Sequence, residues 1–134
     1  MNLEEMKAII PVHTSGHFAT VDGDKADVRG WQYQLIEDGR IYFCTSNKKN
    51  VYRQLESNPN CAFTCSAGGY NFRISGKAVM VTDEELTAKI HATIDKQVAA
   101  VYPAPDANGF TVFYLEHGEV KYSNNFMTYD SFTY

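Results

Sequence analysis

The sequence predicts an α+β fold: a mainly antiparallel sheet curled into a small closed or split β-barrel, with three flanking helices. Three observations carry this reading. Short apolar runs of strand length are joined by tight-turn pairs such as Asp22-Gly23, Gly68-Gly69 and His117-Gly118, which link antiparallel neighbours. Gly76 interrupts one run, as at a bulge or a sharp barrel bend. Helical signals fall in three segments, one before the first strand and two between strands.

In chain order, residues 3–10 form a short helix, with Asn2 as its cap, Glu5 three residues on, and Pro11 as its stop. Gly16 to Val21 is a strand, closed by Asp22-Gly23-Asp24-Lys25. Residues 26–36 make a second strand, with Arg29, Trp31, Tyr33 and Leu35 on one face and Val28, Gly30, Gln32 and Gln34 on the other. Glu37-Asp38-Gly39 turns the chain into a third strand, Arg40 to Thr45. Residues 48–57 read as a helix with Val51 and Leu55 on one side, stopped by Asn58-Pro59. Cys61 to Ala67 and Tyr70 to Val81 are the fourth and fifth strands. Thr82 and Glu85 set a second capping pattern before a stripe of Leu86, Ile90, Ile94, Val98 and Val101, which Pro103 and Pro105 end. Phe110 to Leu115 and Glu119 to Ser123 are two further strands around the His117-Gly118 turn, and Asn124 to Tyr134 is an aromatic tail without clear periodicity.

The 134 residues are the size of one domain, and no linker or repeat divides residues 1–134. A hydrophobic share of 44% with nine Tyr and eight Phe supports a packed core and excludes a disordered chain. A net charge of -4 lacks the basic face of a nucleic-acid binder, so no nucleic-acid partner is expected. No apolar run approaches the roughly 20 residues that span a bilayer, so no membrane segment is expected. Met1-Asn2-Leu3-Glu4-Glu5 has neither the basic nor the apolar region of a secretory signal, and the three cysteines, Cys44, Cys61 and Cys65, are an odd set. The expectation is a cytoplasmic protein with reduced thiols.

One helix start is anomalous. Helix N-termini carry partial positive charge and unpaired N–H groups, and they favour acids. Glu4-Glu5 and Asp83-Glu84-Glu85 follow that rule, whereas the middle helix opens on Lys48 and Lys49 behind Thr45, Ser46 and Asn47. Two cations there cost on the order of 0.3–1 kcal/mol each. A bound anion reverses the sign, because amides, hydroxyls and ammonium groups then converge on it. The alternative is a surface turn with two solvated lysines. The glycines of a nucleotide-triphosphate loop are missing.

The run from Ile41 to Pro59, centred on Thr45-Ser46-Asn47-Lys48-Lys49, resembles the pyridoxamine 5'-phosphate oxidase-like family of FMN-binding split barrels. So do Phe18-Ala19-Thr20-Val21-Asp22-Gly23 followed by Val28-Arg29, and Arg73-Ile74-Ser75-Gly76-Lys77-Ala78, in register from about residue 14 to residue 122. The resemblance implies a six- or seven-stranded split barrel that forms a homodimer, with FMN as cofactor in the interface. It also implies roles. Thr45, Ser46, Lys48 and Lys49 match the phosphate-gripping turn, and Arg29, Gly30, Trp31 and Gln32 the strand beside the flavin ring. Asn71 matches a flavin-contacting position supplied by the second subunit, and Tyr122 an aromatic position in the last strand. Gly30 stands where many members carry proline. No Arg follows Arg73 and the last His is His117, so the segment that holds pyridoxamine phosphate in the true oxidases is not matched, and oxidation of that substrate is not expected.

Other groups carry less. His13 and His17 stand four apart, but Pro11 and Gly16 oppose a continuous helix, and no metal site is expected. Cys61 and Cys65 share a strand face about 13 Å apart, too far for a disulfide, and read as buried thiols. His91 and Asp95 read as a surface i, i+4 pair on the third helix. The tail, with Phe126, Tyr129, Phe132 and Tyr134, either packs on the barrel or a partner subunit, or closes over the flavin. The functional expectation is an FMN-dependent oxidoreductase of unknown substrate, working on a small-molecule electron donor or acceptor, with no acid or base identifiable. The alternatives are a non-catalytic flavin- or haem-binding protein and a dimeric scaffold that binds nothing tightly.

Overall fold

Asn2 caps the first helix, α1 (Leu3–Ile9), by accepting a hydrogen bond from the Glu5 amide at 2.9 Å, and the chain then enters a sheet that holds almost everything else. The computed structural model describes residues 1–134. The strands are β1 (Ser15–Asp22), β2 (Lys25–Gln32), β3 (Leu35–Glu37), β4 (Arg40–Ser46), β5 (Asn60–Ala67), β6 (Tyr70–Met80), β7 (Phe110–Ser123) and β8 (Asp130–Thr133). Helix α2 (Asn50–Ser57) joins β4 to β5, while α3 (Glu84–His91) and α4 (Lys96–Val101) lie between β6 and β7. No helix is long and apolar enough to cross a membrane.

All pairings are antiparallel, in the order β2-β1-β5-β6-β7-β4-β3, with β8 on β7. The two edge strands, β2 and β3, are consecutive in the chain, so the sheet curls until its edges meet at Tyr33-Gln34. There Tyr33 donates to the Thr14 carbonyl (2.9 Å) and Gln34 to the Tyr42 carbonyl (3.1 Å). These bonds hold the seam of an open, split barrel without a continuous ladder. Phe18, Phe43, Phe63, Phe72, Ile74, Phe113 and Val120 fill the interior, and α1 and α2 close it with Met6, Ile10, Val51 and Leu55. A second, smaller core joins Tyr42, Cys44, Phe110 and Val112, on the other face of β4 and β7, to Ile90 and Tyr102 of the α3–α4 segment.

The α+β class and the split barrel stand, and the details differ from the sequence reading. The single strand expected over 26–36 breaks at Tyr33-Gln34, because the chain changes sheet edge there. The expected 48–57 helix begins at Asn50, so Lys48 and Lys49 precede it rather than sit in its first turn. The third helix becomes two, giving four in all: Asp83, not Thr82, caps α3, and Asp95 caps α4 through the Val98 amide. His91 therefore does not pair with Asp95; its ring hydrogen-bonds the Tyr102 carbonyl at 2.6 Å.

The two strands expected around His117-Gly118 are one strand with a bulge. Between the pairs Ser75↔Glu119 and Lys77↔Glu116, Gly76 faces His117 and Gly118, with His117 at φ 50°. The extra residue flips the pleat of β7, which is why Leu115 and Val120 both point inward.

The tail is not irregular throughout. β8 pairs with Glu119 to Tyr122 on the side of β7 that β4 leaves uncovered, and the Tyr134 hydroxyl donates to the Ser75 carbonyl at 2.8 Å. Burial pushes the pKa of that hydroxyl up. Side chains at Gly76 or Gly118 would collide with it, a Cβ lying 2.6 or 2.4 Å from the Tyr134 oxygen. Deleting residues 124–134 is expected to cost on the order of 2–3 kcal/mol, as Phe132 and Tyr134 lose their contacts, and to open an unpaired edge on β7. A urea unfolding midpoint and light scattering of the truncated protein check this.

Candidate functional site

Strand β4 delivers the site. Ile41 and Phe43 anchor it in the barrel and Tyr42 and Cys44 in the second core, so its last residues, Thr45 and Ser46, leave the sheet from a fixed position, 2% and 4% exposed. The turn that follows is closed by Ser46 through its side chain and its backbone: Lys48 N donates to Ser46 Oγ (3.2 Å) and Lys49 N to Ser46 O (3.0 Å). Asn47 N donates to the Gly109 carbonyl at 2.9 Å and Ser46 Oγ to the Asn108 carbonyl at 2.7 Å, so a turn at Ala107–Gly109 props it from behind.

Helix α2 starts there with Lys49 as N-cap, no side-chain capping bond and no acid in its first turn. The other three helices are capped by Asn2, Asp83 and Asp95. The first-turn N–H groups of α2 thus lack intrahelical partners and capping side chains alike. Lys48 and Lys49 stand exposed beside them. Ser46 contributes by shaping the turn, since its proton goes to Asn108; the Thr45 hydroxyl is buried with no partner at all.

Next to the turn, a hollow of about 210 Å³ is lined by Gly30, Trp31, Gln32, Gln34, Cys44, Lys49, Val98 and Tyr102. A Cβ on Gly30 would meet nothing within 4 Å, so β2 offers open backbone here. The Lys49 ammonium lies 5.6 Å from the Trp31 ring centre. Gln34 donates to Gln32 (2.9 Å), which donates to Asp95 (2.7 Å); the Val98 amide and Gln32 together hold the Asp95 carboxyl below its usual pKa. Two buried polar atoms beside the hollow, Trp31 Nε1 and Gln34 Oε1, have no partner. Burial pushes the Cys44 thiol up to about 12, so at neutral pH it is neutral and a poor nucleophile.

Arg29 turns away from this hollow. Its guanidinium bonds the Phe18 carbonyl, Thr20, Asp27 and Gln54, bracing β2 against α2. Asn71 and Tyr122 are not brought to the turn either. On β7, Thr45 pairs with Thr111, whereas Phe72, next to Asn71, pairs with Tyr122. Eleven residue steps of β7, with the bulge among them, run from Thr111 to Tyr122, at most about 36 Å along the strand. Asn71 Nδ2 lies 3.5 Å from Thr64 Oγ1, and the Tyr122 hydroxyl accepts from the Met1 amino group at 3.2 Å.

Of the ten residues expected at the site, Gly30, Trp31, Gln32, Thr45, Ser46, Lys48 and Lys49 cluster, and Arg29 braces them. Gln34, Asp95, Val98, Tyr102, Asn108 and Gly109 also belong to the neighbourhood, with no site role legible in the sequence. Asn108-Gly109 is a left-handed turn dipeptide (φ 55° and 74°), but only the β4–β7 pairing shows which turn it supports.

The fold and the turn together define a split barrel with an uncapped, lysine-flanked strand-to-helix turn beside a partly apolar hollow. A sequence model described as pyridoxamine 5'-phosphate oxidase matches residues 3–124, and the chain belongs to the pyridoxamine 5'-phosphate oxidase-like family of FMN-binding split barrels. No curated protein matches the sequence. Among solved structures, the chain is similar to a NimC/NimA family protein from Clostridium acetobutylicum, with a TM-score of 0.82 at 18% identity over 96% of this chain and 91% of that one. It is similar to General Stress Protein 26 from Bacillus anthracis, with a TM-score of 0.78 at 19% identity over 100% of both chains. It also resembles a pyridoxamine 5'-phosphate oxidase-related, FMN-binding protein from Nostoc punctiforme (TM-score 0.69, 12% identity, 90% and 86% covered). A haem-binding protein from Mycobacterium smegmatis shares the fold (TM-score 0.67, 23% identity, 90% of this chain and 53% of that one). At these identities the likenesses show the fold alone.

Proposed function

We propose that the protein binds FMN as a homodimer and acts as an FMN-dependent oxidoreductase on a small-molecule electron donor or acceptor in the cytoplasm. The observation that carries the cofactor is the start of α2, the one helix end without a cap or an acid, flanked by Lys48 and Lys49. The residues present fit the group. The lysines and first-turn amides suit a phosphomonoester, Trp31 and the open backbone at Gly30 suit a flat ring, and the orphaned Trp31 Nε1 and Gln34 Oε1 suit a ring edge with donors and acceptors. FMN, when bound, supplies the redox chemistry. The chain's part is to fix the phosphate, orient the ring and keep water from one face.

Support for the dimer comes from distance and surface. Within one chain Tyr122 of β7, and Asn71 of β6 beside it, lie well away from Thr111, which pairs with Thr45, so the flavin contacts that the resemblance implies for them would come from a second copy. The outer sheet face carries a hollow of about 330 Å³ with Ala19, Val28 and Ala62 among its lining, and Val28 is 63% exposed. Within its own chain the tail does not serve the turn: β8 lies along Glu119 to Tyr122 of β7, away from the Thr45–Thr111 pair.

A second reading, haem or flavin binding without turnover, is favoured by one feature: His17 lies in that outer hollow with Arg73 and a Lys121–Glu119 ion pair, a candidate haem ligand beside a cation and an apolar wall. Mass identification of the ligand released on denaturation separates the readings. FMN, with re-oxidation by an acceptor panel faster than that of free FMN, supports the enzyme. Haem, or FMN with no acceleration, supports the carrier.

A further inference from the structure

The Asn108-Gly109 turn touches no predicted ligand, yet it is built into the anion turn. Both residues hold left-handed backbone, with φ 55° at Asn108 and 74° at Gly109. Asn tolerates that region better than other side chains, and Gly carries no penalty there. The Asn108 carbonyl takes the Ser46 hydroxyl proton (2.7 Å) and the Gly109 carbonyl takes the Asn47 amide (2.9 Å). The freed acceptor face of Ser46 Oγ then takes the Lys48 amide. On its other side, the Asn108 side chain donates to the Val101 carbonyl at 2.7 Å, at the end of α4. A Cβ on Gly109 would sit 2.3 Å from Asn47 Oδ1 and 2.9 Å from Ser46 Oγ. Asn108 thus ties α4, whose Val98 lines the hollow, to the turn that presents Lys48 and Lys49.

We infer that Asn108 and Gly109 are positioning residues that hold the Ser46–Lys49 turn in its phosphate-receptive form and so set the preference for a phosphorylated flavin over its dephosphorylated counterpart. This rests on the FMN reading above. A loosened turn spreads the lysines and the α2 amides over many arrangements, and each must be ordered again when a phosphate arrives. Trp31 and Gly30 of the ring wall are held by the pairing of β2 with β1, and only Lys49 and Val98 link that wall to the turn and α4. The loss therefore falls on FMN and spares riboflavin, a split that general destabilisation does not produce.

The experiment measures FMN and riboflavin dissociation constants for the intact protein, Asn108→Ala, Asn108→Gly and Gly109→Ala, with thermal melts alongside. For Asn108→Ala the FMN constant is expected to rise about tenfold, the scale of one or two hydrogen bonds, with the riboflavin constant within about twofold of the parent. Asn108→Gly, which keeps the left-handed backbone and loses only the tether to Val101, falls between the two. Gly109→Ala is expected to lose more than Asn108→Ala; if it fails to fold, the Asn108 variants decide. An unchanged FMN-to-riboflavin ratio in Asn108→Ala, or equal loss of both ligands, overturns the inference. A parent protein with no preference for FMN over riboflavin overturns the phosphate reading and this inference with it, whereas a clear parental preference that survives in every variant overturns the inference alone.

Discussion

Replacing both Lys48 and Lys49 with alanine is expected to raise the FMN dissociation constant by about two to four orders of magnitude. Each lysine would make a charge-assisted contact with the phosphate, worth about 1.5–3 kcal/mol, and about 1.4 kcal/mol is a factor of ten. The fold should not suffer. Both side chains are exposed, neither makes an ion pair, and they stand at a helix start that disfavours cations. The double variant is therefore expected to melt at or slightly above the parent temperature while losing FMN. Riboflavin, which lacks the phosphate, should lose far less, only what Lys49 contributes beside Trp31. A flavin-fluorescence titration reads the two dissociation constants and a thermal melt reads the stability, and a change of less than about threefold in the FMN constant removes the turn from the site.

The largest stability effect is expected at Phe43. It is fully buried and lies 5.2–5.5 Å, centroid to centroid, from Phe18, Phe63 and Phe113, with Tyr33 at 6.4 Å. Truncation to alanine removes the ring and leaves a cavity that rings anchored on four other strands or connections cannot easily fill, a cost of about 3–5 kcal/mol. A domain of this size commonly has only about 5–15 kcal/mol in total. Phe43 also sits two residues before Thr45, so the cavity lies beneath the strand that delivers the turn. Guanidinium unfolding of Phe43→Ala, against Phe43→Leu as the milder change, measures the effect. A loss below about 1 kcal/mol would mean that the barrel interior is not the main core.

What the residues revealed in advance was local chemistry. The contrast between Lys48-Lys49 and the acidic helix starts pointed to the turn, and the structure sharpened it: Asn2, Asp83 and Asp95 cap the other helices and nothing caps α2. Gly76 announced the bulge because a strand interior rarely tolerates glycine without a close approach, here from the Tyr134 hydroxyl and the Glu116 carbonyl. What stayed hidden depends on pairing between distant segments. A left-handed residue at His117 serves a hairpin turn or a bulge equally well, and only a continuous partner strand, β6, decides for the bulge. The apolar stripe from Leu86 to Val101 keeps helical spacing, yet Asp95 finds both an α4 amide and Gln32, and two helices replace one. The β8 pairing depends on an open edge of β7, which the tail's own composition does not encode. The resemblance puts Arg29 in the strand beside the flavin, while its side chain serves α2 through Gln54.

The central claim is that one phosphate sits at the start of α2, in a site that two copies of the chain complete. A crystal structure of the protein grown with FMN tests it most directly. The account predicts the phosphate within hydrogen-bond reach of Lys48 or Lys49 and the first-turn amides of α2, the ring along Gly30 to Gln32, and a second chain bringing Asn71 or Tyr122 to the same flavin. Flavin bound elsewhere, or an ordered FMN on a lone chain with the α2 start facing only solvent, would contradict it.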